Sequence, residues 1–113
     1  MPHEIRVTAA VAKVLAAFLE DPTVDRYGLD LMHATAQPSG TLYPILTRLL
    51  DAGWVAATWE AEHDPALEGR PARRYYRLTP HGVTAARDAV AALYQQLSRA
   101  DRGAAAATKP RTA

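Results

Sequence analysis

Residues 39–54, SGTLYPILTRLLDAGW, constrain the fold more than any other segment, because a helix, its stop signal and its two faces are all legible there. Leu42, Ile45, Leu46, Leu49 and Leu50 recur at the three-four spacing of a buried stripe, which leaves Thr41, Tyr43, Pro44, Thr47 and Arg48 outward. Ser39 is placed to cap the free first-turn amides, and Gly53 supplies the left-handed residue that ends a helix. Taken alone, this describes a surface helix of many small helical domains.

The flanking segments narrow the choice. Downstream, two strand-like runs, 54–62 and 73–79, are joined by a turn-rich segment holding Pro65, Gly69 and Pro71. Upstream, Thr8 caps a first helix reaching about Glu20, with Val11, Val14, Leu15, Phe18 and Leu19 as its stripe and Asp21-Pro22 as its stop. A second helix is expected over 25–36, burying Tyr27, Leu29, Leu31 and Met32, and Gln37-Pro38 closes it. Strand alternation puts Tyr76 and Leu78 inward, with Tyr75 and Arg77 on the other side, and Trp54 under the hairpin. Three helices before a hairpin is winged-helix order, in which the third helix is the one that reads DNA.

Thr79-Pro80 starts a fourth helix, a hydroxyl cap followed by proline at the first helical position. Along it Val83, Ala86, Val90, Leu93, Leu97 and Ala100 step alternately by three and four, a heptad seam. Such a seam seeks another helix, but it is short for an independent coiled coil. It is expected to dimerise while leaning on a first helix, its own or a partner's; purely intramolecular packing is the alternative. The fold class is therefore α+β, mostly α: a winged helix-turn-helix of three helices and a two-stranded wing over 1–79, and a dimerisation helix over 80–101. A frayed tail, 102–113, is expected beyond it, with Lys109 and Arg111 near DNA.

Net charge is only +1 over 113 residues, so any affinity for nucleic acid must come from local asymmetry. That asymmetry lies in the hairpin: Arg70, Arg73, Arg74 and Arg77 come directly after Glu60, Glu62, Asp64 and Glu68. These arginines suit phosphate contact, or they pair with the acids across the strands. Ser39, Thr41 and Tyr43 lie where the helix N-terminus meets a phosphate, while Thr47 and Arg48 reach base edges one turn on. Arg48 has phosphate or Asp51 as alternative partners, and Tyr43 has half-buried packing as its own.

No metal site or cofactor is expected. The chain has no cysteine, and His3, His33, His63 and His81 are too scattered for a ligand set, His63 reading as a solvated loop residue. No nucleophile motif or glycine-rich phosphate loop occurs, so no enzyme activity is expected. Nothing resembles a signal peptide or a membrane span, which makes the cytoplasm the expected location.

Three blocks in order carry a resemblance: Tyr27-Gly28-Leu29-Asp30-Leu31, then Ser39 through Val55, then Arg73-Arg74-Tyr75-Tyr76-Arg77-Leu78-Thr79-Pro80-His81-Gly82. Over roughly residues 5–100 the chain resembles the PadR family of bacterial transcriptional regulators, in its compact subgroup with a single C-terminal helix. The resemblance implies a homodimeric repressor on a two-fold operator of double-stranded DNA. It places Thr41, Tyr43 and Arg48 at DNA and the wing arginines at phosphate. Compact members respond to planar aromatic drugs or phenolic compounds in a pore between subunits; Trp59 and Tyr94, the one aromatic of the fourth helix, are the candidate effector contacts here. A winged-helix module that docks a protein without sequence-specific DNA binding is the competing reading, and a small-molecule sensor the third.

Overall fold

The computed structural model describes residues 5–108, with side chains through Ala104. The Thr8 hydroxyl accepts from the Val11 amide at 3.3 Å and opens helix α1, Ala9–Leu19, as expected. The second helix starts later than its periodicity suggests. Arg26–Tyr27 form a short strand, β1, and helix α2 spans only Gly28–Thr35. After helix α3, Ser39–Asp51, come strand β2, Val55–Trp59, a single turn of helix, α4, over Pro65–Glu68, and strand β3, Arg74–Leu78.

The sheet has three antiparallel strands in the order β1-β3-β2, where a two-stranded wing is read from the sequence. The third strand is added by tertiary contacts. The free edge of β3 pairs Arg26 with Tyr76 and Tyr27 with Tyr75, and the Tyr27 and Tyr75 rings meet edge-on at 5.8 Å. The Arg26 guanidinium donates to Asp30 and to the Ala17 carbonyl, tying the end of α1 to the start of α2. Nothing in the local pattern of 25–36 announces a partner some fifty residues away in sequence.

Val11, Val14, Leu15 and Phe18 of α1, Leu31 of α2, and Leu42, Ile45, Leu46 and Leu49 of α3 form the core, which Val55, Tyr76 and Leu78 cover from the sheet. The inward assignment of Tyr76 and Leu78 holds, and Trp54 packs partly buried against the cluster. Leu29, expected inside, is 53% exposed, because the delayed start of α2 turns it toward the wing.

Helix α5 runs from Pro80 to Thr108. The Thr79 hydroxyl accepts from the Gly82 amide at 2.9 Å while donating to the Gly53 carbonyl at 2.7 Å, so one side chain caps α5 and ties it to the end of α3. Gly82 lies so close to Trp54 that a β-carbon would collide with the Trp54 carbonyl. The heptad seam divides. Ala86 is fully buried, and Val83, Ala89 and Val90 pack on the core as α5 runs along α1 of its own chain. Beyond them Tyr94 and Leu97 are exposed.

Helix α5 continues through Arg102, where a frayed tail is expected, to Thr108. The alanines after Gly103 favour helix enough to carry it to Thr108; Lys109 and Arg111 lie outside the described residues. At about 1.5 Å per residue α5 is a rod of roughly 43 Å, and it draws the molecule out to 75 × 33 × 23 Å.

Candidate nucleic-acid interface

Burial of Leu42, Ile45, Leu46 and Leu49 fixes the rotation of α3, so that Tyr43, Pro44, Thr47, Arg48 and Asp51 face outward. Ser39 does not cap this helix. Pro38 occupies the N-cap without a side-chain bond, its carbonyl accepting from the Thr41 and Leu42 amides, and Ser39 becomes the first helical residue, exposed. Proline's fixed backbone angle suits the extended N-cap conformation, which displaces the hydroxyl by one position. At the other end Gly53 adopts a left-handed φ of 75°, the expected stop.

Two outward side chains are steadied by the helix itself. The Thr47 hydroxyl donates to the Tyr43 carbonyl at 3.0 Å, and Arg48 Nε donates to the Pro44 carbonyl at 3.4 Å. The second bond is long and leaves the far end of the guanidinium presented to solvent. Tyr43 leans over the start of α2, where a β-carbon on Gly28 would collide with the phenol oxygen. It is thus half packing residue and half surface, 44% exposed.

The wing is organised around one carboxylate. Both oxygens of Glu60 accept from Arg70 at 2.8 Å, one of them also accepts from the Arg73 amide at 3.1 Å, and His63 Nδ1 stands 3.2 Å away. Hydrogen bonds from Arg70 and then from the Arg73 amide hold the Glu60 carboxyl down to about 2, and the same bond raises Arg70. Arg70, for which the sequence offers phosphate contact or an acid across the strands, is therefore engaged inside the wing. His63, read as solvated, has its ring covered and its Nε2 at 2.7 Å from the Arg70 carbonyl. The hairpin register holds the missed signal: Trp59 pairs with Arg74, so Glu60 falls opposite Arg73, and its amide donates to the Arg73 carbonyl at 2.7 Å. Arg77 also finds an acid, Asp25, at 2.8 Å.

Arg73 and Arg74 remain. Their guanidiniums lie against aromatic faces, Arg73 over Tyr27 at 4.4 Å and Arg74 over Trp59 and Tyr76 at 5.9 and 5.6 Å. Together with Tyr43 they line a groove of about 410 Å³ between α3 and the wing. Ser39, Thr41, Thr47 and Arg48 lie outside that groove, along the α3 surface. Trp59 lines it too, but Tyr94 does not; Tyr94 belongs to a second groove on α5, beside Arg99 and Arg102. Within one chain the two candidate effector contacts do not meet.

His33 and His81 are exposed, and His3 lies outside the described residues. Among the described residues no three histidines or carboxylates gather as a metal site, and no helix is long and apolar enough to cross a membrane.

The same arrangement recurs in solved structures. The chain is similar to smu.1704 from Streptococcus mutans, at 24% identity over all of both chains with a TM-score of 0.61. It is also similar to MepR of S. aureus in a DNA complex, at 16% identity, covering 91% of this chain and 77% of that one, with a TM-score of 0.60. Pex, a circadian clock associated protein from anabaena, aligns at 23% identity, covering 82% of this chain and 80% of its own, with a TM-score of 0.58. At these identities the likeness is one of fold, and among curated proteins none matches. Residues 23–88, from before β1 into α5, match the model of the transcriptional regulator PadR-like family, and the chain belongs to that family.

Proposed function

We propose that this protein is a homodimeric DNA-binding regulator, a repressor acting on a palindromic operator, relieved by a small aromatic effector. One observation carries the reading: Tyr43 of the exposed α3 face lines the same groove as Arg73 and Arg74, whose guanidiniums stack on rings rather than pairing with acids. The backbone-anchoring end of α3 and the phosphate-binding groups are thereby neighbours, and Thr47 and Arg48 follow along the same exposed face of α3. Thr41 and Tyr43 anchor to the backbone, Thr47 and Arg48 reach base edges, and Arg73 and Arg74 supply charge. The DNA complex of MepR supports this use of the fold. A cytoplasmic location follows from such a role.

Duplication supplies what one chain lacks. With Arg70 and Arg77 engaged by acids, one chain has few cations for phosphate, and two chains double them. The distal part of α5 is the surface for pairing, since Tyr94 and Leu97 are exposed there and Leu93 between them and the core is only half-buried. Two α3 helices then enter successive major grooves about 34 Å apart.

A gel shift with DNA upstream of the protein's own gene tests the reading. Salt-sensitive, sequence-selective retardation by a dimer is expected. Background-level DNA affinity, together with stoichiometric capture of one protein partner through α3, would replace it with the docking-module reading.

A further inference from the structure

One wing cation is held from outside the wing. Arg73 gives its backbone amide to Glu60 at 3.1 Å, but both oxygens of that carboxylate already accept from Arg70 at 2.8 Å. Its side chain has no such partner. Among the described residues no acid lies within ion-pair distance of the Arg73 guanidinium, whose central carbon stands 4.4 Å from the centroid of the Tyr27 ring. Attraction to a ring face steadies a cation and leaves its charge uncancelled, which a carboxylate partner would not.

Tyr27 is not a wing residue. It is the N-cap of α2 and the last residue of β1, so its position is tied to the helix-turn-helix. Pairing of Tyr27 with Tyr75 sets its register on β3, and the edge-on contact between the two rings at 5.8 Å sets its tilt. Gly28, the next residue, is where the Tyr43 hydroxyl of α3 comes to rest against the backbone. Tyr43, Gly28, Tyr27 and Arg73 therefore form a chain of neighbours from the start of α3 to the wing, all lining one groove. Strand alternation and register put Arg74 on the opposite face of β3, over Trp59 and Tyr76 and outside that chain.

We propose that Tyr27 is a positioning residue for DNA binding: its ring aims the Arg73 guanidinium at a backbone phosphate, so the start of α2 decides where this wing charge falls relative to α3. The wing cation and the reading helix are then set to one frame, and Arg74 is supported separately. The consequence for DNA rests on the DNA-binding reading, whereas the contact between ring and guanidinium is a property of the free protein.

The test uses the full-length protein and its Tyr27→Phe, Tyr27→Leu, Arg73→Gln and Tyr27→Leu/Arg73→Gln variants. Without DNA, the Arg73 side-chain protons should resonate upfield of their ordinary positions through the ring current of Tyr27, stay there in Tyr27→Phe, and return in Tyr27→Leu. On DNA, Tyr27→Leu should weaken every sequence about two- to fivefold, the fold-change of an exposed cation–π contact. Its salt slope should fall toward that of Arg73→Gln, about one below wild type, while Tyr27→Phe keeps the wild-type affinity and slope. The double variant should bind no more weakly than Arg73→Gln alone, and preference among operator variants should not change. Should Tyr27→Leu lose helical circular dichroism, 3,4,5-trifluorophenylalanine at position 27 replaces it, keeping the ring's shape but weakening its negative face, with the same loss on DNA expected.

Arg73 protons at ordinary positions in the wild-type protein would overturn the contact. Equal losses in Tyr27→Phe and Tyr27→Leu would overturn the positioning role, as would a loss from Tyr27→Leu that persists undiminished in the Arg73→Gln background. Wild-type protein without salt-sensitive retardation would overturn the DNA-binding reading and the positioning role with it, and the proton spectrum alone then decides whether Tyr27 holds Arg73.

Discussion

Helix α3 and the wing flank one groove but are held in place by opposite physics. Four fully buried aliphatic side chains set the angle of α3, an attachment without direction or charge that tolerates salt and acid. The wing strands add only Val55, Tyr76 and Leu78 to the buried core; the loop between them is closed by Glu60 gripping Arg70 and the Arg73 amide. The exposed face of α3 is the back of a core. The surface of the wing is shaped by a charge network that can be titrated. Base recognition and backbone affinity should therefore respond to different perturbations.

The largest effect is expected on the α3 side. Leu46→Ala removes a side chain that is 1% exposed and should cost about 2–5 kcal/mol of stability, read as a lower urea midpoint with an unchanged slope. A loss below about 1 kcal/mol would mean that burial is not what holds α3.

Next in size is the division of labour at DNA. Arg48→Ala should remove about 1–3 kcal/mol of preference at a single base pair, measured by binding to a panel of operator variants. Arg74→Gln should weaken every sequence alike and reduce the salt slope by about one. Equal losses on all sequences for both variants would erase the distinction between the two surfaces.

The smallest effect concerns the wing clasp. The folded Glu60 carboxyl lies near 2, below its ordinary 4.5, so its contribution is present above about 4.5 and is lost as pH falls through about 2. Trp59 emission and amide exchange at 60–73 should report wing opening in that window, while amides of the α3 core stay protected. Glu60→Gln should show the same opening at neutral pH and abolish the acid dependence. An acid transition that survives in Glu60→Gln would assign it to another group.

Much of this architecture is visible in the residues because it is local or periodic. The stripes of α1 and α3, the Thr8 and Thr79 caps, the left-handed stop at Gly53 and the alternation of Tyr76 and Leu78 each need only neighbouring residues to be read. The cap of α3 falls one residue before the serine that its sequence offers, since a serine hydroxyl and a proline φ compete for that position and only the folded backbone shows which prevails. The candidate site is less legible. The charge run is equally compatible with phosphate contact and with pairing across the strands, and only the fold shows that Arg70 takes Glu60 across the hairpin while Arg77 takes Asp25, which precedes β1.

By itself, then, the sequence determined the order of α1, α2, α3, β2, β3 and α5, the faces that α1, α3 and β3 bury, and the family whose three blocks it carries, because period and turn chemistry act over a few residues. Tertiary structure alone decided the rest. It drew Arg26–Tyr27 out of a helix into a third strand, placed His63 beneath the wing, and kept the first half of the α5 seam for α1 while leaving Tyr94 and Leu97 uncovered. Each of these depends on groups far apart in the chain, whose pairing free energy exists only once the fold has brought them together.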